Sequence, residues 1–465
     1  MSNDKAVVKS GAWYTISNFL VRGIGFITTP IFTRILTKEE FGAFNNFTSW
    51  INILAIILTL NVEATLVSAR YEHEDHLDEY ILSMFSLSAV STLSWWVVAN
   101  IFVEHTTALL DMNTVYMNAM FIFIMTQAAI NLYQMREKFF YRYKMSVLIS
   151  VLLSVGSSLL AVVLALNLED RLSGRVYGMV LPNLIIGFAL IVYFALRGKK
   201  IELKYWKPAL KIVLPYIPHL LSLTFLSMID RVMITKMCGE ADTALYSLGY
   251  TVATIIAILL TSLNGAIAPW IGENLAKKQY EVIRKNTVPY ILLFVYCAIG
   301  LMFVSPEFLL ILGGEAYAEA KWIMIPIAYS CICQFLYNLF ATVEQFEKKT
   351  VGMALASVSA AVFNFVLNLI FIPMYGYVAA AYTTLIGYAW LLGIHMYLVY
   401  RLKMSKVYNY RLVYLTLLVV AGVSIIMNFL YTLTWVRYII IAMYVLVPVV
   451  IAIKNKEKII SFIKR

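Results

Sequence analysis

The stretch GAWYTISNFLVRGIGFITTPIFTRIL, residues 11–36, is long enough to cross a lipid bilayer, since a spanning helix needs about 20 mainly apolar residues. It nevertheless carries Arg22 near its middle. Apolar stretches of similar length recur along the 465-residue chain with short polar breaks between them. Hydrophobic residues make up 61% of the chain and charged residues 14%, far from the averages of soluble proteins. The sequence therefore predicts an all-α integral membrane protein with about fourteen transmembrane helices.

The distribution of lysine and arginine predicts how these helices are oriented, because short cytoplasmic loops retain basic residues. With the N-terminus in the cytoplasm, about 28 of the 37 basic residues fall on the inside and about seven outside, Arg175 among the latter. We therefore predict a multi-pass membrane protein with both termini in the cytoplasm. The net charge of +11 then reflects membrane topology and does not indicate a nucleic-acid partner.

Cys331 and Cys333 are the one cysteine pair whose spacing resembles a metal-binding pair. They lie inside an apolar run with no histidine beside them, so we interpret them as small packing residues. The sequence predicts no metal site and no bound cofactor.

Two short acidic turns suggest an internal repeat. TRILTKEEFGAF begins at Thr33 and TKMCGEADTALYSL at Thr235, and each joins two apolar helices. Transporters commonly consist of two related halves. We therefore predict two six-helix lobes related by a pseudo-two-fold axis along the membrane normal, followed by two further helices. The predicted boundaries are 1–196 for the N-lobe, 197–211 for a basic cytoplasmic linker, 212–400 for the C-lobe, and 401–465 for the last two helices and a basic tail.

Five stretches of the sequence resemble the bacterial polysaccharide and O-antigen repeat-unit flippases, a family of the multidrug/oligosaccharidyl-lipid/polysaccharide exporter superfamily. They are RILTKEEFGAFN (34–45), LPYIPHLLSLTFLSMIDRVMI (214–234), ALYSLGY (244–250), GGEAYAEA (313–320) and NFVLNLIFIPMYGYVAAAYTTLIGY (364–388). The resemblance implies a fourteen-helix, two-lobed fold. It also implies movement of an undecaprenyl-diphosphate-linked oligosaccharide from the cytoplasmic to the outer leaflet by alternating access. A polysaccharide polymerase and a chain-length regulator would be its partners.

A diphosphate and its sugars need an aqueous cavity, so polar faces should be visible on the predicted helices. Polar residues do recur at steps of three and four along several of them. Such stripes can line a cavity, or they can join helices by hydrogen bonds. Our candidate substrate-binding residues are Asn18, Arg22, Asn52, His219, Arg231, Asn338 and Asn364.

Arg22 is the most informative of these candidates. A charged side chain at the centre of a membrane helix costs about 2.5 to 3.5 kcal/mol on insertion scales, so it should face water or a partner. Its guanidinium suits a diphosphate. Alternatively, Arg22 forms a structural ion pair with Glu63, which the pattern places in the second helix. A pair that opens when the phosphate arrives would act as a gate.

Asp230 and Arg231 are adjacent, so their side chains point about 100° apart on a helix and cannot share one narrow stripe. Glu63 and Asp230 are our candidates for ion coupling or gating, because a buried carboxyl group can bind and release a proton near neutral pH. Either a proton or a sodium gradient would serve.

Two other functions remain open at this point. The charges of Arg22, Glu63, Asp230 and Arg231 sum to zero, whereas a diphosphate-linked substrate favours a cationic cavity. A repeat unit with few acidic sugars would fit this balance, and so would a cation-coupled multidrug exporter of the same superfamily. A membrane polysaccharide polymerase is less well supported. The longest outer loop offers few carboxylates for glycosyl chemistry, so we predict a transporter and not an enzyme.

Overall fold

A computed structural model of the 465-residue chain describes residues 2–140 and 142–454. The side chains of several helical residues, Asn18 and Arg22 among them, lie outside the described part. The described residues form helices and turns and contain no strand. This confirms the prediction of an all-α protein.

Seventeen α-helices follow one another along the described residues. They are α1 (Ser2–Ile35), α2 (Lys38–Leu58), α3 (Leu66–Glu72), α4 (Leu77–Ile101), α5 (Val103–Leu110), α6 (Thr114–Phe139), α7 (Tyr143–Val151), α8 (Ser157–Asn167), α9 (Arg171–Gly198), α10 (Trp206–Cys238), α11 (Glu240–Ala276), α12 (Tyr280–Gly313), α13 (Lys321–Phe346), α14 (Thr350–Tyr375), α15 (Tyr377–Arg401), α16 (Tyr410–Leu430) and α17 (Thr434–Lys454). A π-helical turn, Leu152–Gly156, joins α7 to α8.

Twelve helical segments of the described chain are long and apolar enough to cross a membrane. They are α2, α4, α6, the joined α7 and α8, and each helix from α9 to α16. Helices α1 and α17 would bring the number to fourteen. However, the apolar part of α17 whose side chains the structure describes, Thr434–Leu446, is too short on its own. The chain is therefore a multi-pass membrane protein, and twelve spans are consistent with fourteen without confirming that number.

The helices form two compact units. Unit 1 comprises Met1–Ser247 and Ser357–Ala380, and unit 2 comprises Leu248–Ala356 and Ala381–Arg465. Helix α10 belongs to unit 1 because it packs along α2. These bounds differ from the boundaries drawn from the sequence, and the division into two six-helix lobes stays a prediction.

The first acidic turn of the proposed repeat, in TRILTKEEFGAF, contains the start of α2. The Thr37 hydroxyl accepts a hydrogen bond from the Glu40 backbone N–H at 3.1 Å, and the Glu40 carboxylate accepts one from the Thr37 backbone N–H at 2.7 Å. This reciprocal pair is a capping box, which satisfies two backbone donors at the start of α2.

The end of α2 corrects one of the expectations above. Leu60 and Asn61 have positive φ angles of 57° and 47°, in the left-handed region that interrupts a helix. The chain therefore leaves the helix after Leu58, and Glu63 lies in a short 3₁₀ turn, Val62–Thr65. The placement of Glu63 on a stripe of the second helix was wrong.

Candidate functional site

Asp230 on α10 is the centre of a buried polar cluster in unit 1. The Tyr246 hydroxyl on α11 donates to its Oδ2 at 2.5 Å, and Nδ2 of Asn368 on α14 donates to its Oδ1 at 2.6 Å. All three side chains are inaccessible to solvent. A buried carboxylate is costly unless hydrogen bonds compensate for lost hydration. The two short bonds stabilise the charged form of Asp230 at this position.

Asn364 extends this cluster by one helical turn. Its Oδ1 accepts a hydrogen bond of 3.4 Å from Nδ2 of Asn368, and it is fully buried. Its Nδ2 has no hydrogen-bond partner within the described chain. A carboxylate, a phenol and two amides thus meet in one buried place, and oxygen groups of this kind can hold a hard cation or a proton.

Glu63 belongs to a second polar network in unit 1. Nδ2 of Asn131 on α6 donates to Glu63 Oε1 at 3.3 Å. From Asn131 the network continues through Gln127 at 2.8 Å to Asn183 on α9 at 2.5 Å, and ends at Thr126 at 2.6 Å. This row of amides connects α6, α9 and the turn that carries the carboxylate.

The carboxyl group of Glu63 is not fully satisfied by this network. Its Oε2 atom is buried and lacks a hydrogen-bond partner in residues 2–140 and 142–454. Burial raises the pKa of Glu63, and hydrogen bonds from its own backbone N–H and from Asn131 only partly oppose that shift. Glu63 is therefore suited to bind a proton.

Of the three other candidates on α10 and α2, Arg231 and Asn52 have hydrogen-bond partners in their own helices. Nη1 of Arg231 donates to the Ser227 carbonyl at 3.0 Å, and its guanidinium carbon lies 5.9 Å from the centre of the Tyr246 ring. Nδ2 of Asn52 is exposed and donates to the Thr48 carbonyl in its own helix. Nδ1 of His219 is buried, with no partner in the described part.

The candidates do not all meet in one site. Asp230 and Asn364 share a cluster, whereas Glu63 belongs to a different network. Asn338 lies in unit 2, where its Nδ2 donates to the Gln334 carbonyl. Because the side chains of Asn18 and Arg22 are outside the described part, the ion pair between Arg22 and Glu63 stays a prediction.

Arg175 is a residue that the sequence reasoning did not select as a candidate. It was counted only among the basic residues on the outer side, and it lies in the second turn of α9. Its guanidinium carbon is 3.6 Å from the ring centre of Phe32 on α1 and 4.4 Å from that of Phe44 on α2. No carboxylate of the described residues forms an ion pair with it. Among the described residues of unit 1, Arg175 is therefore a cation that contacts aromatic rings and pairs with no carboxylate.

Other residues of the two clusters were also missed. Tyr246 was quoted only as part of a longer motif, Asn368 only as a member of a polar stripe with Ser357 and Asn364, and Asn131 and Asn183 were not singled out. Gln127 and Asn131 stand four residues apart, so their spacing on α6 was the one signal that could have placed both amides on one face.

The chain matches two family models and resembles several known proteins. A family model described as "Polysaccharide biosynthesis protein" matches residues 7–275, and the MatE family model matches residues 215–370. "Lsg locus putative protein 1" of Haemophilus influenzae is 30% identical over 162 residues, which cover 32% of this chain and 40% of that protein. "Probable low-salt glycan biosynthesis flippase Agl15" of Haloferax volcanii is 25% identical over 169 residues, 36% of each chain. The chain thus spans less than half the length of either relative.

The fold also resembles that of a solved transporter. "Lipid II flippase MurJ, inward closed conformation" superposes with a TM-score of 0.65 at 13% identity, over 92% of this chain and 99% of that one. At this identity the likeness shows the fold alone. The match over residues 7–275 extends over more than half of the 465 residues, and the chain therefore belongs to the polysaccharide biosynthesis protein family of the multidrug, oligosaccharidyl-lipid and polysaccharide exporter superfamily.

Proposed function

We propose that the protein is a flippase that moves undecaprenyl-diphosphate-linked oligosaccharide repeat units from the cytoplasmic to the outer leaflet of the bacterial inner membrane. The observation that carries this proposal is the family match over residues 7–275. The similarity to Agl15, a probable low-salt glycan biosynthesis flippase, supports it. The protein would act as a transporter and not as an enzyme.

The substrate defines what the membrane helices must provide. A diphosphate carries permanent negative charge, and hydrocarbon about 30 Å thick cannot solvate it. Arginine binds phosphate oxygens with paired hydrogen bonds and stays charged at all relevant pH values. Arg22, Arg175 and Arg231 are the arginines that we assign to the diphosphate, and the amides of Asn18, Asn52, Asn338 and Asn364, with His219, to the sugar hydroxyls.

Transport in one direction needs a coupled free-energy source, and two carboxylates are available for it. Asp230 with its two amides offers oxygen atoms to a sodium ion or a proton. Glu63, whose pKa burial raises, suits a proton. We therefore propose ion coupling or gating at these two residues.

The orientation of the protein in the membrane and its partners follow from the proposed function. Both termini would lie in the cytoplasm, where the lipid-linked unit is made. A polysaccharide polymerase and a chain-length regulator would then use the flipped unit in O-antigen, capsule or exopolysaccharide synthesis.

The decisive experiment measures flipping of a fluorescent undecaprenyl-diphosphate oligosaccharide in proteoliposomes, with the wild type, Arg22→Ala and Arg22→Lys. We expect transport by the wild type and a fall of about tenfold or more in the Ala variant, the effect of losing about 1.4 kcal/mol of phosphate binding. Partial activity of Arg22→Lys would show that charge alone suffices. A wild type that flips none of several glycans would contradict the proposal.

A cation-coupled multidrug exporter is the second candidate, and a specific observation favours it. The MatE match over residues 215–370 includes Asp230, Asn364 and Asn368, so the buried carboxylate cluster lies within the part shared with that family. The same proteoliposomes loaded with an organic cation test it. Export under a proton or sodium gradient that is lost in Asp230→Asn, together with no glycan transport, would favour this function.

A further inference from the structure

Two titratable side chains meet inside unit 2, outside the clusters considered so far. Oε1 of Glu344, near the end of α13, lies 2.7 Å from Nδ1 of His395 on α15. The side chain of Glu344 is completely buried, and that of His395 is 2% exposed. The distribution of basic residues places this end of both helices on the cytoplasmic side.

The surroundings of Glu344 favour a proton on its partner. With a neutral imidazole, the pair carries one negative charge, and Nδ1–H of His395 compensates only one carboxylate oxygen. Oε2 of Glu344 is buried and has no hydrogen-bond partner in the described part of the chain. A buried charge with so little compensation is costly. When the imidazole takes up a proton, Nδ1–H still donates to Oε1 and the pair becomes neutral as a whole.

An aromatic ring also stabilises the charged form of His395. The ring of Tyr337, on α13, stacks on the imidazole with centres 5.5 Å apart and an angle of 17° between the planes. The face of an aromatic ring attracts a cation. The imidazole therefore lies between a carboxylate and an aromatic face, and both stabilise a positive charge.

The other charged groups around the pair are at the surface. Those after α13 and α15 are Glu347, Lys348, Lys349, Arg401, Lys403 and Lys406. Those at the same end of α12 and α16, which pack against α13, are Glu281, Arg284, Lys285 and Arg411. Water and salt screen exposed charges. No ion pair joins any of them to Glu344 or His395 within the described residues.

Two tyrosines near the pair are engaged with the backbone. The Tyr408 hydroxyl donates to the Leu339 carbonyl at 2.8 Å, and the Tyr410 hydroxyl donates to the Met396 carbonyl at 3.1 Å. Neither brings a charge. Glu344 is therefore the group that decides the charge of His395.

A proton can reach the pair through the imidazole. His395 retains some accessible surface, whereas Glu344 has none. Glu344 also lies two residues before the end of α13, and helix ends open locally at a small cost in free energy. The proton passes from water to Nε2 of His395 while Nδ1–H stays bonded to Glu344. Release is the reverse step and leaves the pair with one negative charge.

We propose that Glu344 and His395 form a proton-binding site of unit 2, in which the imidazole takes up one proton from the cytoplasmic side and the carboxylate balances its charge. This site is separate from Glu63 and Asp230. Its role in transport rests on the proposed function, whereas proton binding does not. Asn338, a candidate for sugar binding, follows Tyr337 on α13, so the proton site and a substrate residue share one helix.

Nitrogen NMR of the full-length protein in detergent, labelled with ¹⁵N-histidine, tests proton binding without a substrate. The chain has five histidines, so the signals can be assigned by substitution. We expect the ring of His395 to gain one proton within the range of about pH 8 to 5, where an imidazole can change its charge. A ring that stays neutral throughout this range would overturn the proposal.

Glu344→Gln tests the role of the carboxylate. It should move the titration midpoint of His395 to lower pH by about one unit or more, because a buried opposite charge is lost. Glu79→Gln is the matched control. Oε2 of Glu79 lies 3.6 Å from Nδ1 of His76 at the surface, where the two side chains are 31% and 65% exposed. Solvent screens this pair, so the midpoint of His76 should move much less. Equal shifts, or no shift at His395, would overturn the role of Glu344.

The wild type decides the point if Glu344→Gln does not fold. Substitution of the other four histidines, His73, His76, His105 and His219, identifies the His395 signal by elimination. The hydrogen on its Nδ1 should exchange slowly with water, because it is buried and bonded to Glu344. Exchange as fast as at exposed His105 would overturn the pairing.

The role in transport is tested in the proteoliposomes that measure glycan flipping. His395→Gln should make the rate independent of cytoplasmic-side pH over the range in which His395 titrates. His105→Gln, at an exposed histidine, should keep the pH dependence of the wild type. The same pH dependence in His395→Gln would overturn the transport role. A wild type that flips no glycan would overturn the proposed function, and the NMR result would still decide the proton site.

Discussion

Asn368 donates a hydrogen bond of 2.6 Å to Asp230 and so joins α14 to α10 inside unit 1. Tyr246, on α11, donates to the other carboxylate oxygen. These three residues come from three of the stretches on which the family resemblance rests, 364–388, 214–234 and 244–250. Motifs far apart in the sequence therefore meet at one buried carboxylate.

The first prediction tests the bond between Asn368 and Asp230. Asn368→Ala removes a donor to a buried charge, which should lower the free energy of unfolding by about 1.5 to 3 kcal/mol. Asp230→Asn removes the negative charge. In that background, Asn368→Ala should lower the free energy of unfolding by much less. Thermal unfolding of the two single variants and the double variant in detergent measures this coupling.

Asn428→Ala is the matched control for this cycle, since Asn428 donates to the Ser424 carbonyl of its own helix. Asn428→Ala should lower the free energy of unfolding by the same amount in the wild type and in Asp230→Asn. A coupling near zero between positions 368 and 230 would show that the hydrogen bond does not stabilise the charge.

The second prediction concerns the pH dependence of stability at Glu63. Its folded pKa is above the ordinary carboxyl value of 4.5 because burial disfavours the charged form. The folded state then binds more protons than the unfolded state, so stability falls as pH rises from about 4.5 through the folded pKa. Glu63→Gln should remove this fall and raise the unfolding temperature most at the higher pH values.

Unfolding temperatures in detergent between pH 5 and about pH 8, above the range of ordinary carboxyl groups, measure this effect. Glu169→Gln neutralises an exposed carboxylate and serves as the control. A Glu63→Gln variant with the same pH slope as the wild type would argue against a protonated Glu63.

The third prediction assigns a transport role to Arg175. Stacking on Phe32 and Phe44 leaves its N–H groups available, because a cation over an aromatic face uses the charge and not the donors. Arg175→Gln should slow glycan transport about tenfold or more, the effect of losing one charge-assisted hydrogen bond to phosphate. Arg175→Lys should retain part of the activity.

Arg171→Gln is the control for this change, since Arg171 lies one turn earlier in α9 and donates to the Ile35 carbonyl. Transport and unfolding temperature are measured together. If Arg175→Gln loses stability but transports at the wild-type rate once folded, the arginine is structural.

The sequence predicted the helical membrane fold because long apolar runs have few other stable forms in a bilayer. It also singled out Asp230, a charge inside an apolar run. It did not predict that Asn368 and Tyr246 are the partners of Asp230. Pairing across helices depends on packing, which periodicity along one helix cannot specify.

The error at Glu63 has a local cause. Leu60 and Asn61 adopt left-handed conformations, and only Asn61 is a residue type that often does so. A helical stripe drawn through residues 59–63 therefore continued past the end of α2. Arg175 was not selected because counting basic residues gives only the side of the membrane and cannot show that this guanidinium lies against Phe32 and Phe44.

The last prediction concerns Gly42, in the motif RILTKEEFGAFN. A Cβ at this position would clash with the backbone carbonyl of Glu240, at the start of α11 in unit 1. The carbonyl belongs to a backbone held at the turn after Gly239, whose φ of 100° suits glycine. Gly42→Ala should therefore force α2 and α11 apart and destabilise the protein by about 1 to 3 kcal/mol, despite the higher helix propensity of alanine.

Gly422→Ala provides the comparison, since a Cβ there has no atom within 4 Å and adds only helix propensity. Its unfolding temperature in detergent should equal or exceed that of the wild type, while that of Gly42→Ala falls. If both variants were as stable as the wild type, Gly42 would not be needed for close packing. The two acidic turns of the proposed repeat would then lie near each other without depending on the glycine, and the motif would need another physical explanation.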